Sequence, residues 1–107
     1  MKYDVITIPP FDKQLKRLSR KYPSIKKDLT RIGMELSENP FMGTPLGNNC
    51  FKIRINISSK SKGKSGGGRI ITHIYTFKSI VFLLSIYDKS EKADLTDKEL
   101  MELLKQL

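Results

Sequence analysis

The chain has 107 residues, with 20 lysines and arginines against 11 acidic residues, so its formal net charge is +9. Its hydrophobic fraction of 38% falls in periodic clusters, which excludes a disordered basic tail. No apolar run approaches the ~18 residues that a membrane span needs, and the start lacks a signal-peptide core with a cleavage site. A single cysteine, Cys50, excludes an intrachain disulfide framework and a cysteine-based zinc site. The composition predicts one soluble, cytoplasmic domain over residues 1–107.

The first third of the chain predicts a short strand followed by two amphipathic helices. Val5 to Ile8 are β-formers, and Pro9 and Pro10 stop the strand. Apolar residues then recur at spacings of four, three and four, first from Phe11 and again from Ile25, as on one face of a helix. Two such helices form a hairpin whose apolar stripes must pack on another element.

The remaining elements are three strands and a C-terminal helix. Phe51 to Ile57 alternate between apolar and polar residues, and two strand-like runs follow, Arg69 to Phe77 and Ile80 to Tyr87. Thr96 and Glu99 have the spacing of a helix capping box. The sequence therefore predicts an α+β fold: a small antiparallel sheet of about four strands, an N-terminal helical hairpin and a C-terminal helix.

The positions of the charges say more than their total. Residues 39–87 contain no carboxylate but carry seven cations: Lys52, Arg54, Lys60, Lys62, Lys64, Arg69 and Lys78. Cations concentrated in one segment are typical of proteins that bind polyanions. The alternative is a solvated basic surface that only keeps the protein soluble.

One low-complexity segment lies inside this acid-free stretch. Ser58 to Gly68 reads SSKSKGKSGGG and holds Lys60, Lys62 and Lys64 at alternate positions. Glycine allows a backbone to approach a phosphate closely, and lysines supply point charges there. The segment is either a basic loop that contacts nucleic acid or only the flexible tip of a hairpin.

Familiar catalytic motifs do not fit the chain. Gly63-Lys64-Ser65 lacks the earlier glycine of a P-loop and leads into a strand, whereas a P-loop leads into a helix. The segment from Asp88 to Glu99 resembles a calcium loop, but Ala93 stands where the central glycine is required. His73, the only histidine, is a candidate acid or base, but its position in mid-strand favours an ordinary strand residue.

A cationic face of the sheet remains as the candidate site. Lys52 and Arg54 point the same way from one strand, Arg69 begins the next, and Tyr87 and Lys89 end the last. Such a group suits metal-free RNA cleavage, in which the ribose 2′-hydroxyl attacks the phosphorus and arginines stabilise the charge that develops. A tyrosine or lysine whose pKa is lowered by neighbouring cations would move protons. The alternative is that these cations only bind a nucleic-acid backbone or an acidic protein.

Four stretches, in this order, resemble the RelE/ParE superfamily of bacterial toxins. They are Asn39 to Leu46 (NPFMGTPL), Phe51 to Ile55 (FKIRI), Lys62 to Ile71 (KGKSGGGRII) and Leu83 to Glu91 (LLSIYDKSE). The resemblance covers nearly the whole chain and is strongest to the HigB-like branch, which has a long basic loop. It implies a RelE-like fold and a toxin neutralised by a cognate antitoxin. Many members cleave mRNA on the ribosome without a metal.

The resemblance also assigns roles to individual residues. Lys52 and Arg54 match the basic pair on the family's central strand, and Arg69 matches the arginine that opens the next strand. Lys89 is near the family's cationic position after the last strand, beside Tyr87. Ribonucleases of the superfamily often carry a tyrosine or histidine near the C-terminal end, and this chain has neither beyond Tyr87. The general acid and base therefore remain open.

The leading prediction is a ribosome-dependent mRNA endoribonuclease that needs no cofactor or metal. Its expected partners are an antitoxin, mRNA and the ribosome. The predicted catalytic residues are Arg54, Arg69, Tyr87 and Lys89, and the predicted RNA-binding or ribosome-binding residues are Lys52, Lys60, Lys62 and Lys64. Two alternatives are a ParE-like toxin that inhibits DNA gyrase without nuclease activity, and an inactive relative that only binds antitoxin.

Overall fold

The computed structural model describes residues 2–60 and 67–107, which form five strands and three helices. In chain order they are β1 (Asp4–Thr7), α1 (Pro9–Lys21), α2 (Ile25–Glu38), β2 (Thr44–Gly47), β3 (Cys50–Ile55), β4 (Gly68–Tyr75), β5 (Ile80–Asp88) and α3 (Asp97–Leu104). A short 3-10 turn, Thr76–Lys78, separates β4 from β5. None of the helices in the described ranges is long and apolar enough to span a membrane.

The strands form one sheet in the order β1-β5-β4-β3-β2. All pairings are antiparallel except that of β1, which runs parallel to β5. The predicted α+β class, helical hairpin and C-terminal helix are confirmed. The predicted small antiparallel sheet of about four strands is also confirmed, with two differences: the sheet has a fifth strand, β2, and one of its pairs is parallel.

The missed strand β2 has little local signal of its own. It spans four exposed residues that include Pro45 and Gly47, two residue types depleted in strands. Its pairing with β3 depends on a two-residue turn in which Asn48 and Asn49 have φ values of 55° and 57°. Positive φ at both central residues is the geometry of a tight hairpin, and asparagine tolerates it well. The turn therefore creates the strand.

The predicted helix boundaries follow from the capping chemistry. Proline is tolerated in the first turn of a helix, and α1 begins at Pro9. Helix α2 ends at Glu38, directly before Asn39-Pro40, as the proline predicts. The capping box at α3 is confirmed: Thr96 Oγ1 accepts from the Glu99 amide at 3.1 Å, and Glu99 Oε1 accepts from the Thr96 amide at 2.9 Å.

The main core lies between the helical hairpin and one face of the sheet. It is built from buried side chains of α1, α2 and the central strands: Phe11, Leu18, Ile25, Leu36, Ile53, Ile55, Ile70 and Ile86. The opposite face is partly covered by the segment after β5 and by α3, whose Leu100 is also buried. One face of the sheet is thus closed by the hairpin, and the other is left open at the ends of β3 and β4.

A cationic row across three strands

Three side chains lie side by side on the open face. Arg54 of β3 is opposite Arg69 of β4, and Arg69 is opposite Tyr87 of β5. Directly paired residues of antiparallel strands project from the same face with Cβ atoms roughly 5 Å apart. The structure therefore brings together three of the predicted site residues. We call Arg54, Arg69 and Tyr87 the cationic row.

The members of the cationic row differ in burial. Arg54 is exposed, whereas Arg69 is only 9% exposed and its Nη1 donates to the Gly68 carbonyl at 3.0 Å. Tyr87 is 5% exposed. A charge that is partly removed from water acts more strongly on its neighbours than an exposed one. The row therefore combines a fixed inner guanidinium with an outer one that can move toward a ligand.

Tyr87 is held by a carboxylate that the sequence analysis did not identify. Its hydroxyl donates to Asp94 Oδ1 at 3.3 Å. Burial and the negative charge of Asp94 raise the pKa of Tyr87 to about 12, although the charge of Arg69 acts in the other direction. A tyrosine pKa lowered by cations, as expected from the sequence, is therefore wrong for this residue. At neutral pH the Tyr87 hydroxyl is a proton donor.

Asp94 also holds the nearest lysine. Lys52, two residues before Arg54 on the same face of β3, places Nζ 3.3 Å from Asp94 Oδ1. The hydrogen bond from the Leu95 amide and the interactions with Lys52 and Tyr87 lower the pKa of Asp94. Lys89 Nζ donates to the carbonyl of Ala93, so it also lies along the segment after β5. One carboxylate thus lies among the cations of the site.

The predicted RNA-binding lysines of the basic loop are only partly described by the structure. Lys62 and Lys64 lie outside the described residues. Lys60 is placed away from the cationic row: its side chain is 7% exposed, and its Nζ lies 2.8 Å from Asp88 Oδ1. Successive residues of a strand point to opposite faces, so Asp88 lies on the face toward the helices, whereas Tyr87 lies on the open face with the other members of the row.

Asp88 is the centre of a buried polar network at the end of β5. The carboxylate is fully buried and accepts from Tyr22 Oη at 2.5 Å and from Ser90 Oγ at 2.7 Å, in addition to Lys60. Burial alone would raise the pKa of Asp88, but these hydrogen bonds outweigh it and hold the pKa well below its ordinary value. Lys60 therefore has a structural partner.

A second buried carboxylate anchors the start of the basic loop. Asp28 of α2 accepts from the Ser58 amide at 2.9 Å and from Ser58 Oγ at 2.6 Å. Ser24 Oγ also donates to it, at 2.8 Å. Burial opposes the charged form, yet the donors lower the pKa of Asp28 overall. Together with Asp88, this residue fixes the segment that follows β3.

His73 lies apart from the cationic row. It is four residues beyond Arg69 on β4, stacks on Phe82 with ring centroids 6.5 Å apart, and lies 3.5 Å from the Cys50 sulfur. Burial raises the pKa of the Cys50 thiol to about 11. Within residues 2–60 and 67–107, no three His, Cys, Asp or Glu side chains are grouped closely enough to hold a metal ion. The groups that the structure places at the row are guanidinium, ammonium and phenol groups, together with the Asp94 carboxylate.

Asp88 and Asp94 were missed because their partners are distant in sequence or off the strands. Asp94 is seven residues after Tyr87 in an irregular segment, where neither alternation nor helical spacing predicts a direction. Asp88 ends a strand and takes its partners from Tyr22, directly after α1, and from Lys60 of the basic loop. The sequence did contain a signal: these are among the first acids after a long acid-free stretch, and so they are close in sequence to its cations.

The chain matches known toxins in sequence and in fold. Residues 11–107 match the family described as the RelE toxin of the RelE/RelB toxin–antitoxin system. A mutant of the E. coli toxin RelE in its free state is 21% identical, with a TM-score of 0.64, covering 100% of this chain and 99% of that one. The same toxin mutant bound to an antitoxin RelBc peptide is 18% identical, with a TM-score of 0.63 and coverage of 100% and 99%.

A third structure comes from another organism. The toxin–antitoxin complex RelBE2 of Mycobacterium tuberculosis is 19% identical, with a TM-score of 0.62, and the match covers 82% of this chain and 99% of that one. These likenesses agree with the sheet order and helix positions described above. Since the family match extends over nearly the entire chain, from Phe11 to the last residue, the protein belongs to the RelE toxin family.

Proposed function

We propose that the protein is the toxin of a type II toxin–antitoxin system and acts as a metal-independent, ribosome-dependent mRNA endoribonuclease. The observation that carries this proposal is the register of Arg54, Arg69 and Tyr87 across three neighbouring strands. Membership of the RelE toxin family supports the toxin role. A protein that only needed solubility would gain nothing from aligning its cations in this way.

The cationic row suits the chemistry of RNA cleavage by the 2′-hydroxyl. As the 2′ hydroxyl gives up its proton to water and its oxygen attacks phosphorus, the bond to the 5′ oxygen breaks and negative charge grows on the phosphoryl oxygens. Arg54 and Arg69 offer planar donors that match a phosphate and stabilise that charge. Tyr87 keeps its proton at neutral pH because its pKa is raised, so it can donate to the departing 5′ oxygen. Lys52 and Lys89 add positive charge beside the row.

The proposed partners follow from the same site. Related toxins have been solved with an antitoxin peptide and as a toxin–antitoxin complex. We propose that a cognate antitoxin neutralises this chain by presenting acidic side chains to the cationic row, because complementary charge directs association and covers the site. The ribosome would present the mRNA in a fixed orientation.

The test compares two exposed cations. Arg54→Gln removes a charge from the cationic row without disturbing the core, and Lys78→Gln removes one beyond the far end of β4, about 20 Å away by strand rise. Each variant and the wild type are expressed from an inducible promoter, and both mRNA ends and gyrase-linked DNA breaks are mapped. We expect mRNA cleavage and growth arrest with the wild type and Lys78→Gln, and at least a tenfold weaker effect with Arg54→Gln, roughly one lost charge-assisted hydrogen bond.

Two outcomes would contradict the proposal. DNA breaks with intact mRNA would support gyrase inhibition instead. Full toxicity of Arg54→Gln would remove the cationic row from the mechanism. Purified protein incubated with mRNA, with and without ribosomes, tests the ribosome requirement directly.

A further inference from the structure

A cleft lies beside the cationic row, at the edge of β5. Strand β1 pairs with β5 only as far as Leu83, so no strand from residues 2–60 and 67–107 lies beside the end of β5 on that side. Helices α1 and α3 border the space that remains, with a volume of about 440 Å³. Its walls include Gln14, Ser85, Tyr87, Leu95, Lys98 and Leu103. Tyr87 therefore belongs both to the row and to the wall of the cleft.

Gln14 presents a side-chain amide in a fixed orientation at this cleft. Its Oε1 accepts from the Ile86 amide at 2.9 Å and from Ser85 Oγ at 3.1 Å. Because the oxygen must face these two donors, the orientation of the amide group is determined. Its Nε2 has no hydrogen-bond partner among the described residues, although the residue lines the cleft. Gln14 therefore offers a donor that needs no reorganisation to meet a ligand.

The charges of the cleft differ from those of the row. Lys92 is paired with Glu99 at 2.6 Å, and Glu102 is paired with Lys105 at 3.2 Å. The lining thus has no strong excess of positive charge, and Leu95 and Leu103 supply apolar walls. An uncharged, flat group with hydrogen-bonding edges fits such a cleft better than a phosphate does. In RNA that group is the nucleobase, which is joined to the phosphate through its ribose.

We propose that the cleft binds one nucleobase of the RNA held on the cationic row, and that Gln14 Nε2 donates to an acceptor atom on the edge of that base. This inference rests on the proposed function, because it requires RNA on the row. Sequence-dependent recognition of single-stranded RNA commonly uses the edges of unstacked bases. Gln14 would then contribute to the choice of the nucleotide next to the cleavage point.

The test is binding of two short RNA oligonucleotides of equal length, one with bases and one abasic. Gln14→Glu keeps an acceptor for the Ile86 amide but removes the NH₂ donor. Asn39→Asp is the matched control, because Asn39 is exposed at the end of α2, does not line this cleft, and the change adds the same charge. The measured quantity is the ratio of the affinity for the base-bearing RNA to that for the abasic RNA. We expect this ratio to fall about fivefold in Gln14→Glu, the effect of one hydrogen bond, and to stay near the wild-type value in Asn39→Asp.

The outcomes separate this inference from the proposed function. If the wild type binds both oligonucleotides equally tightly, the base-binding cleft is wrong and the phosphate-binding row stands. An unchanged ratio in Gln14→Glu, or an equal fall in both variants, would also overturn the role of Gln14. If the wild type binds neither RNA, with or without ribosomes, both proposals fail.

Discussion

Asp94 is the residue on which the state of the site depends. Its carboxylate contacts Lys52 and Tyr87 together, and its own side chain is 61% exposed. It therefore lies where a substrate phosphate would approach the same two groups. Like charges repel, so a bound phosphate and the Asp94 carboxylate compete for Lys52.

Replacing this carboxylate should make Tyr87 more acidic. In Asp94→Asn we expect the pKa of Tyr87 to fall from about 12 toward its ordinary value of about 10, since the negative charge is removed while Arg69 stays. The titration is measured by ultraviolet absorbance, with the matching Tyr87→Phe protein subtracted. Asp97→Asn, an exposed acid at the start of α3, is the control. An unchanged Tyr87 titration in Asp94→Asn would show that burial alone raises this pKa.

Asp88 affects stability, whereas Asp94 affects the site. The carboxylate of Asp88 is fully buried and faces Lys60, so Asp88→Asn leaves an ammonium without its counter-charge. We expect a loss of about 3 kcal/mol in the free energy of unfolding, measured by urea denaturation at pH 7. Asp12→Asn, an exposed acid in α1, should change it by less than about 0.5 kcal/mol.

The same residue predicts how stability depends on pH. The folded state lowers the pKa of Asp88, so this group stabilises the fold fully above its unfolded pKa of about 4. That contribution is lost as the pH falls below this value, because the Asp88 carboxylate of the unfolded chain then takes up a proton while that of the folded protein stays charged. The wild type should therefore lose more stability than Asp88→Asn between pH 5 and pH 3. Parallel stability curves for the two proteins would contradict the prediction.

At the scale of the elements, strand β2 shows what a local pattern can and cannot predict. The helices and the strands β3, β4 and β5 follow from periodicity, because their apolar faces are set by the core that they bury. Strand β2 buries no face. It is held beside β3 by the turn that joins the two strands and by the close approach of Gly43 to the backbone of Lys52. The parallel placement of β1 beside β5 is a contact between distant parts of the chain, and no local spacing encodes it.

The site was predictable to the same extent as the strands. Arg54, Arg69 and Tyr87 could be grouped because alternation fixes which face each one occupies. Lys60 could not be separated from the site, because its partner Asp88 lies 28 residues away on another strand. The sequence also did not predict that the pKa of Tyr87 is raised, because Asp94 lies in a segment without regular periodicity.

Gly43 provides a test of how β2 is formed. Its φ is +102°, and a Cβ there would lie 2.6 Å from the Lys52 carbonyl oxygen. Gly43→Ala should destabilise the fold by more than 1 kcal/mol, because backbone atoms cannot give way as a side chain does. Gly33→Ala is the matched control: it lies within α2 with open space around it and should stabilise the fold by up to about 1 kcal/mol. Thermal denaturation of both variants measures the difference, and equal shifts would contradict the argument.

At the scale of the whole molecule, the open face of the sheet carries cations from a stretch of sequence without acids. The acid-free stretch, residues 39–87, contributes two strands with cations to the open face, whereas the acids after β5 pair with neighbouring cations. A polyanion would therefore encounter Lys52, Arg54 and Arg69 without a compensating block of carboxylates, apart from Asp94. The net charge of +9 favours fast association with a polyanion, and the cationic row would orient that polyanion on the open face of the sheet.

This distribution predicts the salt dependence of RNA binding. Each cation that neutralises a phosphate of single-stranded RNA contributes roughly 0.7 to the slope of log affinity against log salt concentration. The double variant with Lys52→Gln and Arg54→Gln should therefore have a slope shallower by about 1.4. Changing Lys2 and Lys78 to Gln removes the same charge from positions away from the row and should leave the slope nearly unchanged. Equal slopes for the two double variants would mean that net charge alone governs binding.

The register of β3, β4 and β5 ties the site to the folding of the sheet. A slip of one residue between β3 and β4 would move Arg54 to the face that packs on the helices and turn Ile53 and Ile55 outward. Such a slip would expose the core and dismantle the cationic row at the same time. Binding of a phosphate analogue to the cationic row would therefore indicate that β3 and β4 are paired in the correct register. A selection for anion binding would also select variants whose sheet is correctly paired.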